Sequence, residues 1–456
     1  MKTKIEFFDS HSHLADGAFE KDLGDVIKRA VNGGVTQILC VGDSEESSRK
    51  SISIARENNG IYAAVGIHPH NIEEYSPAIE ENLRAWIDDP KVVAVGEIGL
   101  DYYRMNSSRN IQIGALQRQL DLAIESKKPV VLHCRKAYPE LLETLSEKKG
   151  LRGVVHCFSG TLEDAQNLIE LGFSIGITGV ITFQKANDLR EIVRKTSIEK
   201  ILIETDSPYI SPEPERGKRN EPGKILFIAK AIAEIKNLTL EDAARITTYN
   251  ARYLLNLLSS QIPQIAYPIR RSLYLNITNR CSNNCTFCKR TSDFMVRGHY
   301  LRLEHEPEYD EVIEAVGNPH LYKEIVFCGY GEPTIRLNLL KKLASHFKRE
   351  GLKVRLNTNG QGNLINERDI LPELKDLIDV VSISLNAHNT ELYNKLCRPQ
   401  NPELAFQSIL SFAQEAKRYI KEVILTVVTL PEVDINACRK IAEYLGAKFR
   451  VRDFMP

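Results

Sequence analysis

The chain has 456 residues, and its 60 basic and 60 acidic side chains give a formal net charge of zero, so no overall basic field would draw in a nucleic acid. With 43% hydrophobic and 26% charged residues, the composition is typical of a folded globular protein and argues against disorder. At roughly 100–200 residues per domain, the length predicts two or three domains. No apolar run approaches the roughly 18 residues of a membrane span, and the N-terminus lacks the apolar core of a signal peptide, which indicates a cytoplasmic protein without a membrane partner.

The first 258 residues alternate short apolar runs with amphipathic stretches, the pattern of strands followed by helices. The runs that predict buried strands lie at residues 5–8, 37–41, 62–66, 92–97, 129–133, 153–156 and 200–204. The stretches that predict helices lie at residues 20–31, 46–58, 109–126, 137–148, 161–171, 223–235 and 240–258. Since alternation over about eight units favours a parallel sheet closed on itself, we expect an α/β fold with a TIM-type (β/α)8 barrel.

Residues 259–271 contain two prolines and little periodicity, so we place a linker there, between a domain at 1–258 and a second domain at 272–456. The second domain begins a new alternation. Its predicted strands lie at 272–277, 324–328, 353–356, 380–384 and 423–428, and its predicted helices at 337–350 and 402–418. This shorter series predicts an incomplete α/β barrel of roughly six units.

Histidines and carboxylates follow nearly every predicted strand of the first domain. They are His11, His13, His68, His70, Glu97, His133, His156, Glu204 and Asp206. The carboxyl ends of parallel barrel strands open onto one face, so we expect these side chains to converge. A single histidine at a strand end is more often structural than a ligand, but the recurrence predicts a site for Zn²⁺, Mn²⁺, Fe²⁺ or Mg²⁺. Two such ions would suit phosphoryl chemistry.

Ordered motifs of the first domain resemble the TatD family of metal-dependent deoxyribonucleases. The matching segments are 8–14, 66–70, 96–103, 131–135, 155–160, 203–209, 216–222 and 248–251. The resemblance implies a barrel of the amidohydrolase type with two or more divalent ions. The implied activity is hydrolysis of phosphodiester bonds, often trimming DNA or RNA from an end, so the expected partner is a nucleic acid or nucleotide.

The resemblance also implies roles for individual residues. One ion would be held by His11, His13, Glu97 and Asp206. The other would be held by Glu97, His133 and His156, with Glu97 bridging the pair. Glu97 and Asp206 are the implied catalytic residues, and Asp206 would orient the attacking water or take its proton.

Candidate substrate contacts surround this implied centre. They are His68, Arg135, Arg216 and Arg219. Arginine forks match phosphate oxygens, although the loop that carries Arg216 and Arg219 also fits a solvated charged turn. Lys136 stands where the family commonly has an acid, which leaves the substrate preference open.

Three of the nine cysteines, Cys281, Cys285 and Cys288, follow the predicted strand at 272–277 with the spacing CxxxCxxC. In a cytoplasmic chain, cysteines serve metal or redox chemistry more often than disulfides. Three thiolates on one loop can hold three irons of a [4Fe–4S] cluster and leave the fourth iron open. A zinc site is the alternative, but structural zinc usually has four ligands and no second CxxC pair is present.

The cysteine motif, with the aromatic Phe287 and the later segments 328–334, 356–360 and 382–386, resembles the radical S-adenosylmethionine (SAM) superfamily. The resemblance implies a partial (β/α)6 barrel, a [4Fe–4S] cluster on the three cysteines, bound SAM, and an electron donor. The cofactor would yield a 5′-deoxyadenosyl radical that acts on an unknown substrate. The implied SAM contacts are Phe287 near the adenine, Gly331 and Glu332 near the amine, and Asn357, Ser384 and Asn386 near the carboxylate and ribose.

The leading hypothesis is a bifunctional protein with a divalent-metal nuclease or phosphodiesterase domain and a radical SAM domain, a combination that resembles the TatD-associated radical SAM group. In one alternative the first barrel hydrolyses amide or ester bonds, such as aminoacyl esters, because one fold can serve several chemistries. In another, the first barrel is a non-catalytic binding platform for the radical SAM enzyme.

Overall fold

The computed structural model describes residues 5–258 and 261–454. The chain divides between residues 259 and 260 into two compact units, and each is described by itself. Within the described residues, no helix has both the length and the apolar character needed to cross a membrane.

Eight parallel strands form the N-terminal unit and neighbour one another in chain order. They are β1 (Phe7–Ser12), β2 (Val35–Val41), β3 (Ile61–Val65), β4 (Val92–Asp101), β5 (Val130–Arg135), β6 (Gly153–Val155), β7 (Ser174–Ile177) and β8 (Ile201–Ile203). A parallel bridge between Ser12 and Ser207 joins the end of β1 to the segment after β8. The predicted (β/α)8 barrel is therefore confirmed.

Nine α-helices of the N-terminal unit accompany these strands within the described residues. They are α1 (Leu23–Asn32), α2 (Glu45–Glu57), α3 (Pro77–Ile87), α4 (Arg109–Ser126), α5 (Tyr138–Ser146), α6 (Leu162–Glu170), α7 (Asn187–Lys195), α8 (Ile225–Lys236) and α9 (Leu240–Leu254). Side-chain caps at Ser44, Thr161 and Thr239 fix the starts of α2, α6 and α9 by accepting backbone N–H bonds. The sequence did not predict β7, α3 or α7. Strand β7 was missed because it has only four residues and includes a glycine.

Two apolar layers hold the barrel together, because alternate residues of a strand face opposite sides. Ile38 and Cys40 of β2 belong to the large core shared with the helices, whereas Leu39 and Val41 belong to a smaller cluster with Phe8. Helix α9 adds Ala251 and Leu254 to that smaller cluster. The apolar layers leave the carboxyl ends of the strands to the polar residues.

The C-terminal unit contains a seven-stranded sheet and a small hairpin. Its strands are β9 (Ala266–Ile269), β10 (Ser272–Leu275), β11 (Met295–Val296), β12 (His299–Tyr300), β13 (Glu324–Phe327), β14 (Val354–Thr358), β15 (Val380–Ser384), β16 (Glu422–Val428) and β17 (Lys448–Arg452). Its helices are α10 (Tyr309–Val316), α11 (Leu337–Arg349), α12 (Gly362–Ile365), α13 (Leu371–Leu374), α14 (Thr390–Cys397), α15 (Ala405–Ala416) and α16 (Ile435–Tyr444).

The order in the large sheet is β17-β16-β15-β14-β13-β10-β9. Six strands pair in parallel and only β9 runs antiparallel, beside β10. This agrees with the expected partial (β/α)6 barrel with one added edge strand.

Four strands of the C-terminal unit, β9, β11, β12 and β17, were not predicted from the sequence, and β11 and β12 have only two residues each. Part of the expected linker at 259–271 is strand β9, and its Pro268 is tolerated because β9 is an edge strand that needs hydrogen bonds on one side only. Strand β17 was not predicted, since its sequence Lys-Phe-Arg-Val-Arg is more charged than a typical buried strand.

Candidate metal centre and cluster site

Strand β1 delivers two histidines to the carboxyl end of the barrel. The Nε2 atoms of His11 and His13 lie 3.1 Å apart, so both rings point the same way, as the HxH spacing predicts. The backbone holds this arrangement, because Asp206 N–H donates to the His11 carbonyl at 2.9 Å and His13 N–H to that of Ser207 at 2.8 Å. His11 is completely buried, and burial together with the neighbouring His156 lowers its pKa to about 4. His11 is therefore neutral at pH 7, the form that binds a metal.

Glu97 of β4 stands between two sets of histidines. Its Oε2 lies 3.4 Å from His11 Nε2 and 3.6 Å from His13 Nε2. Its Oε1 lies 3.0 Å from His133 Nδ1 and 2.8 Å from His156 Nε2. Burial alone would raise the pKa of this carboxyl, but the surrounding histidines hold the pKa well below its usual value. Glu97 is therefore a carboxylate with one oxygen facing each set.

Asp206 completes the first set from the segment after β8. Its Oδ1 lies 3.4 Å from His13 Nε2 and 3.8 Å from His11 Nε2. Its backbone adopts a left-handed conformation, φ +53°, which is uncommon outside glycine and more common for Asp than for most residues. Burial raises the pKa of Asp206, but the hydrogen bond with His13 and nearby histidine charges lower it below its usual value. Asp206 is thus ionised at neutral pH.

The donor set fits divalent metal ions. Three groups have ligand atoms that all lie within 4.8 Å of one another: His11, Glu97 and His156; His11, His13 and Asp206; and His68, Glu97 and His133. Imidazole nitrogens and carboxylate oxygens about 2 Å from a shared ion would be separated by such distances. Two ions, one beside each oxygen of Glu97, would use all six of the ligands expected from the sequence.

Asp101, which the sequence analysis missed, orients one of these ligands. Its Oδ2 lies 3.2 Å from His133 Nε2 and 2.8 Å from His70 Nε2, and its Oδ1 accepts the N–H groups of Tyr103 and Arg104. Burial raises the pKa of Asp101, but these hydrogen bonds lower it far below its usual value. The contact turns His133 so that Nδ1 faces Glu97, the carboxylate–histidine arrangement common behind metal ligands. The available signal was position, since Asp101 lies four residues after Glu97 on the same strand.

Glu204 lies behind His156 of the second set, but His156 Nδ1 has no hydrogen-bond partner among the described residues. Glu204 Oε1 accepts the Cys157 N–H at 2.6 Å and lies 3.7 Å from His156 Nδ1, while its Oε2 accepts the Ser10 hydroxyl at 3.2 Å. Burial raises the pKa of Glu204 to about 7. Glu204 was expected at a strand end, without an assigned role.

Two of the four candidate substrate contacts lie near the ligands. His68 Nε2 is 3.4 Å from Glu97 Oε1, so His68 lies within the cluster of ligands. Arg135 follows the ligand His133 on β5, is exposed, and lies 3.9 Å above the ring of Tyr103. A substrate contact by either residue stays a prediction.

The other two candidates lie on the loop after β8. Arg216 lies 4.4 Å above the ring of Phe183, at a cavity of about 600 Å³. Arg219 is held in ion pairs with Asp22 at 2.6 Å and Glu221 at 3.0 Å, and its hydrogen bond lowers the pKa of Asp22 to about 2. These pairs tie the loop to the start of α1, and a phosphate contact by Arg216 or Arg219 also stays a prediction.

In the C-terminal unit, a buried polar network holds the cysteine loop that follows β10. Asn283 Nδ2 donates to the Tyr393 hydroxyl at 2.8 Å, and Gln361 Nε2 donates to Asn283 Oδ1 at 2.8 Å. The loop backbone also bonds to the end of α14, where Asn284 N–H donates to the Cys397 carbonyl at 3.0 Å. Such a network fixes the loop between two helix–strand units.

The three cysteines of this loop, Cys281, Cys285 and Cys288, are all free thiols and partly exposed. Cys397, which was not expected to take part in the cluster site, lies close enough to Cys285 to contribute to the raised pKa of the Cys285 thiol. Partly exposed, unpaired thiols on an anchored loop fit a cluster that must remain open to a second ligand.

Gly331 and Glu332 connect the end of β13 to the cysteine loop. A Cβ at Gly331 would lie 2.1 Å from the Thr278 carbonyl oxygen, so only glycine allows this close approach. The buried carboxylate of Glu332 accepts the Thr358 hydroxyl at 2.8 Å and the Asn359 N–H at 2.7 Å. Glu332 therefore ties β13 to β14, and its expected place near the SAM amine stays a prediction.

The remaining candidate SAM contacts lie at the ends of β14 and β15. The Oδ1 atoms of Asn357 and Asn386 are buried and have no hydrogen-bond partner among the described residues, so a ligand amine or hydroxyl could donate to them. Ser384 Oγ accepts a hydrogen bond from Arg452 Nη2 at 3.3 Å. Phe287 is partly buried and packs against the core of the unit. These positions fit bound SAM, and the individual contacts stay predictions.

Comparisons with known proteins match both units. The sequence model of TatD-related DNases matches residues 8–256, and that of the radical SAM superfamily matches residues 275–445. The Bacillus subtilis uncharacterized metal-dependent hydrolase YabD is 38% identical over 253 residues, which are 54% of this chain and 98% of that protein. The Erwinia billingiae 3′-5′ ssDNA/RNA exonuclease TatD is 36% identical over 258 residues, which are 55% of this chain and 99% of that protein.

A solved structure supports the same family. The Escherichia coli K12 TatD homologue YJJV is 30% identical and superposes with a TM-score of 0.52 over 56% of this chain and 99% of its own. The matched family consists of divalent-metal hydrolases, and the matched superfamily uses a [4Fe–4S] cluster and SAM. The predicted classes of cofactor are therefore confirmed.

Proposed function

The chain belongs to the TatD-related DNase family, and from this premise we propose that its N-terminal unit hydrolyses phosphodiester bonds of single-stranded nucleic acid with two divalent ions beside Glu97. The position of Glu97 carries the proposal, because its two oxygens face two separate sets of ligands. The name of the Erwinia relative, a 3′-5′ ssDNA/RNA exonuclease, supports cleavage from the 3′ end.

The proposed mechanism assigns the ligands by geometry. His11, His13 and Asp206 would hold one ion with Glu97 Oε2, and His133 and His156 would hold the other with Glu97 Oε1. When bound, the ions supply Lewis-acid polarisation of a phosphoryl oxygen and a lowered pKa for water.

The remaining steps fall to the side chains of the chain. Asp206, ionised at neutral pH, orients the attacking water and accepts its proton. Asp101 holds His133 in its ligand orientation through the hydrogen bond to Nε2.

The C-terminal unit is, in this proposal, a radical SAM enzyme whose cluster is held by Cys281, Cys285 and Cys288 and is reduced by an external electron donor. The cofactor supplies the hydrogen-abstracting radical, and the protein supplies position and exclusion of water. We assign the two domains to residues 1–258 and 272–456, with β9 as an added edge strand. A cytoplasmic location is consistent with nine free thiols.

The test is hydrolysis of a 5′-labelled single-stranded oligonucleotide by the full chain with Mn²⁺, with and without chelator. We expect chelator to abolish cleavage and Glu97→Gln to slow it by more than about 100-fold, since loss of a ligand should exceed the effect of a residue behind one. The matched control is Glu234→Gln on α8, where the glutamate is exposed.

Two results would refute the proposal. Cleavage at the wild-type rate by Glu97→Gln would show that the centre around Glu97 does not carry the reaction. Metal-dependent hydrolysis of an aminoacyl ester with the oligonucleotide left intact would favour ester hydrolysis.

A further inference from the structure

The last strand of the C-terminal sheet, β17, places three cations on one face. Its Phe449 packs against the helix-side core, with the Arg439 guanidinium of α16 at 4.9 Å from the ring. Since successive strand residues face opposite sides, Lys448, Arg450 and Arg452 point to the other, concave face of the sheet. Strand β17 is the edge strand, so this face borders the open side of the partial barrel.

Only one of these three cations has a counterion within the described residues. Lys448 Nζ lies 3.0 Å from Glu422 Oε1 at the start of β16. Neither Arg450 nor Arg452 forms an ion pair with a carboxylate anywhere in residues 5–258 or 261–454. The unneutralised positive charge therefore lies at the carboxyl end of β17, the end of a parallel strand where ligands bind.

The guanidinium of Arg452 extends across the concave face. Arg452 pairs in register with Val428 of β16, yet its Nη2 reaches Ser384 Oγ on β15, one strand further, at 3.3 Å. Arg452 is exposed, and desolvation lowers its pKa, with the charge of Arg450 acting in the same direction and Cys328 acting against it. Two cations on one strand face repel each other, and a bound anion would offset that repulsion.

The neighbouring strand ends provide further free polar atoms. Asn357 Oδ1 on β14 and Asn386 Oδ1 just after β15 are buried and unpartnered within the described part of the chain. Arg452 also acts electrostatically on Cys328 at the end of β13 and on Cys285 of the cysteine loop. The cations thus lie on the face toward which the cluster loop and the candidate SAM contacts are directed.

We propose that Arg450 and Arg452 bind an oxyanion, a phosphate or a carboxylate, of the substrate of the radical SAM domain. Two guanidinium groups on one strand face match the oxygens of such a group. The inference goes beyond the proposed function, which leaves that substrate open, and it does not depend on nuclease activity. The carboxylate of SAM has the same chemistry, so the experiment must separate the cofactor from the substrate.

The test is calorimetric titration of the full chain with its cluster reconstituted under anaerobic conditions. SAM is titrated first, and then inorganic pyrophosphate or citrate in the presence of SAM. Every protein also carries Glu97→Gln, so that ions of the N-terminal unit do not bind the probe. We expect saturable binding of one probe, weakened about 10- to 100-fold by Arg452→Gln and by Arg450→Gln, as for loss of a charged hydrogen bond. The affinity for SAM should stay within about 2-fold in Arg450→Gln, which should remove a hydrogen bond to the probe alone, whereas Arg452→Gln also removes the hydrogen bond to the candidate SAM contact Ser384.

Arg439→Gln is the matched control, because Arg439 lies on the helix side of the same strand and should leave both affinities unchanged. If Arg452→Gln fails to retain the cluster absorbance, the Arg450→Gln titration decides. The proposal is overturned if neither probe binds saturably, if both arginine variants bind the probes as well as the parent does, or if they weaken SAM and not the probe.

Discussion

At the scale of single residues, the N-terminal site is organised around one carboxylate. Glu97 is buried, yet its pKa is held low because histidines surround it on both sides. A buried carboxylate stays ionised only where nearby positive charge offsets the loss of hydration. Divalent ions between Glu97 and the histidines would supply that charge more strongly than protons do. This arrangement of side chains therefore suits the binding of cations.

Asp101→Asn should weaken the second set of ligands without removing any of them. Asparagine keeps the size of the side chain but loses the charge that orients His133 through Nε2. We expect a roughly 10- to 100-fold loss of affinity for one of the two ions, as found for residues behind metal ligands. Metal content after dialysis, measured by plasma mass spectrometry, provides the check.

The control for this variant is Asp188→Asn, because Asp188 is exposed on α7. Unchanged metal content in Asp101→Asn would show that His133 needs no support from Asp101.

The sequence predicted which side chains converge at the site better than it predicted the residues behind them. His11, His13, Glu97 and Asp206 follow strands and carry recognisable motifs, so their convergence follows from the barrel alone. Asp101 acts through His133, and which carboxylate hydrogen-bonds a given imidazole depends on packing that a sequence pattern does not encode.

At the scale of elements, the approach of β4 to β5 positions the site. Gly99 lies on β4 between Glu97 and Asp101 with φ +149°, and a Cβ there would be 1.9 Å from the His133 carbonyl oxygen. Only glycine lets the two strands come this close. The spacing between Glu97 and His133 therefore depends on a residue that has no side chain.

Gly99→Ala should separate these strands and lower the free energy of unfolding of the N-terminal unit by about 3 kcal/mol or more, as strained overpacking does. Gly114→Ala is the control, because Gly114 lies in helix α4 with open space around it. That change should be neutral or stabilise by up to about 1 kcal/mol. Calorimetric melting of the full chain measures both, and equal transitions for the two variants would contradict the role given to Gly99.

Strands were missed where their composition differs from that of a typical buried strand. Strand β17 is charged because its concave face carries Lys448, Arg450 and Arg452, and β9 contains Pro268 because an edge strand tolerates it. Strand β9 pairs with the next strand, β10, and β17 pairs with β16 across helix α16, so neither is recognisable as a strand until the sheet is assembled. The other apolar, central strands of both units were predicted because burial on both faces makes them continuous hydrophobic runs, and the four-residue β7 is the exception.

At the scale of the whole molecule, two units with different metal chemistry share one chain. The overall charge of zero conceals this, since residues 1–260 are slightly acidic and residues 261–456 slightly basic. The small net charge of each half of the chain does not determine the charge at its site. Attraction for phosphate in the first unit would come from the ions and from local arginines.

The two chemistries should be separable by substitution. A triple variant with serine at Cys281, Cys285 and Cys288 should lack the visible absorbance of an iron–sulfur cluster and keep hydrolysis of the oligonucleotide within about 2-fold, because thiolates are the cluster ligands. Glu97→Gln should lose hydrolysis of the oligonucleotide and keep the visible absorbance of the cluster. Absorbance spectra and the hydrolysis assay on the same preparations test this, and loss of hydrolysis in a folded triple variant would contradict it.

The most direct test of the central claim is anomalous diffraction from crystals of the full chain grown with Mn²⁺. We predict two anomalous peaks, one beside each oxygen of Glu97 and about 3.5–4 Å apart. One should lie next to His11, His13 and Asp206, and the other next to His133 and His156. A single peak, or peaks remote from Glu97, would contradict the account.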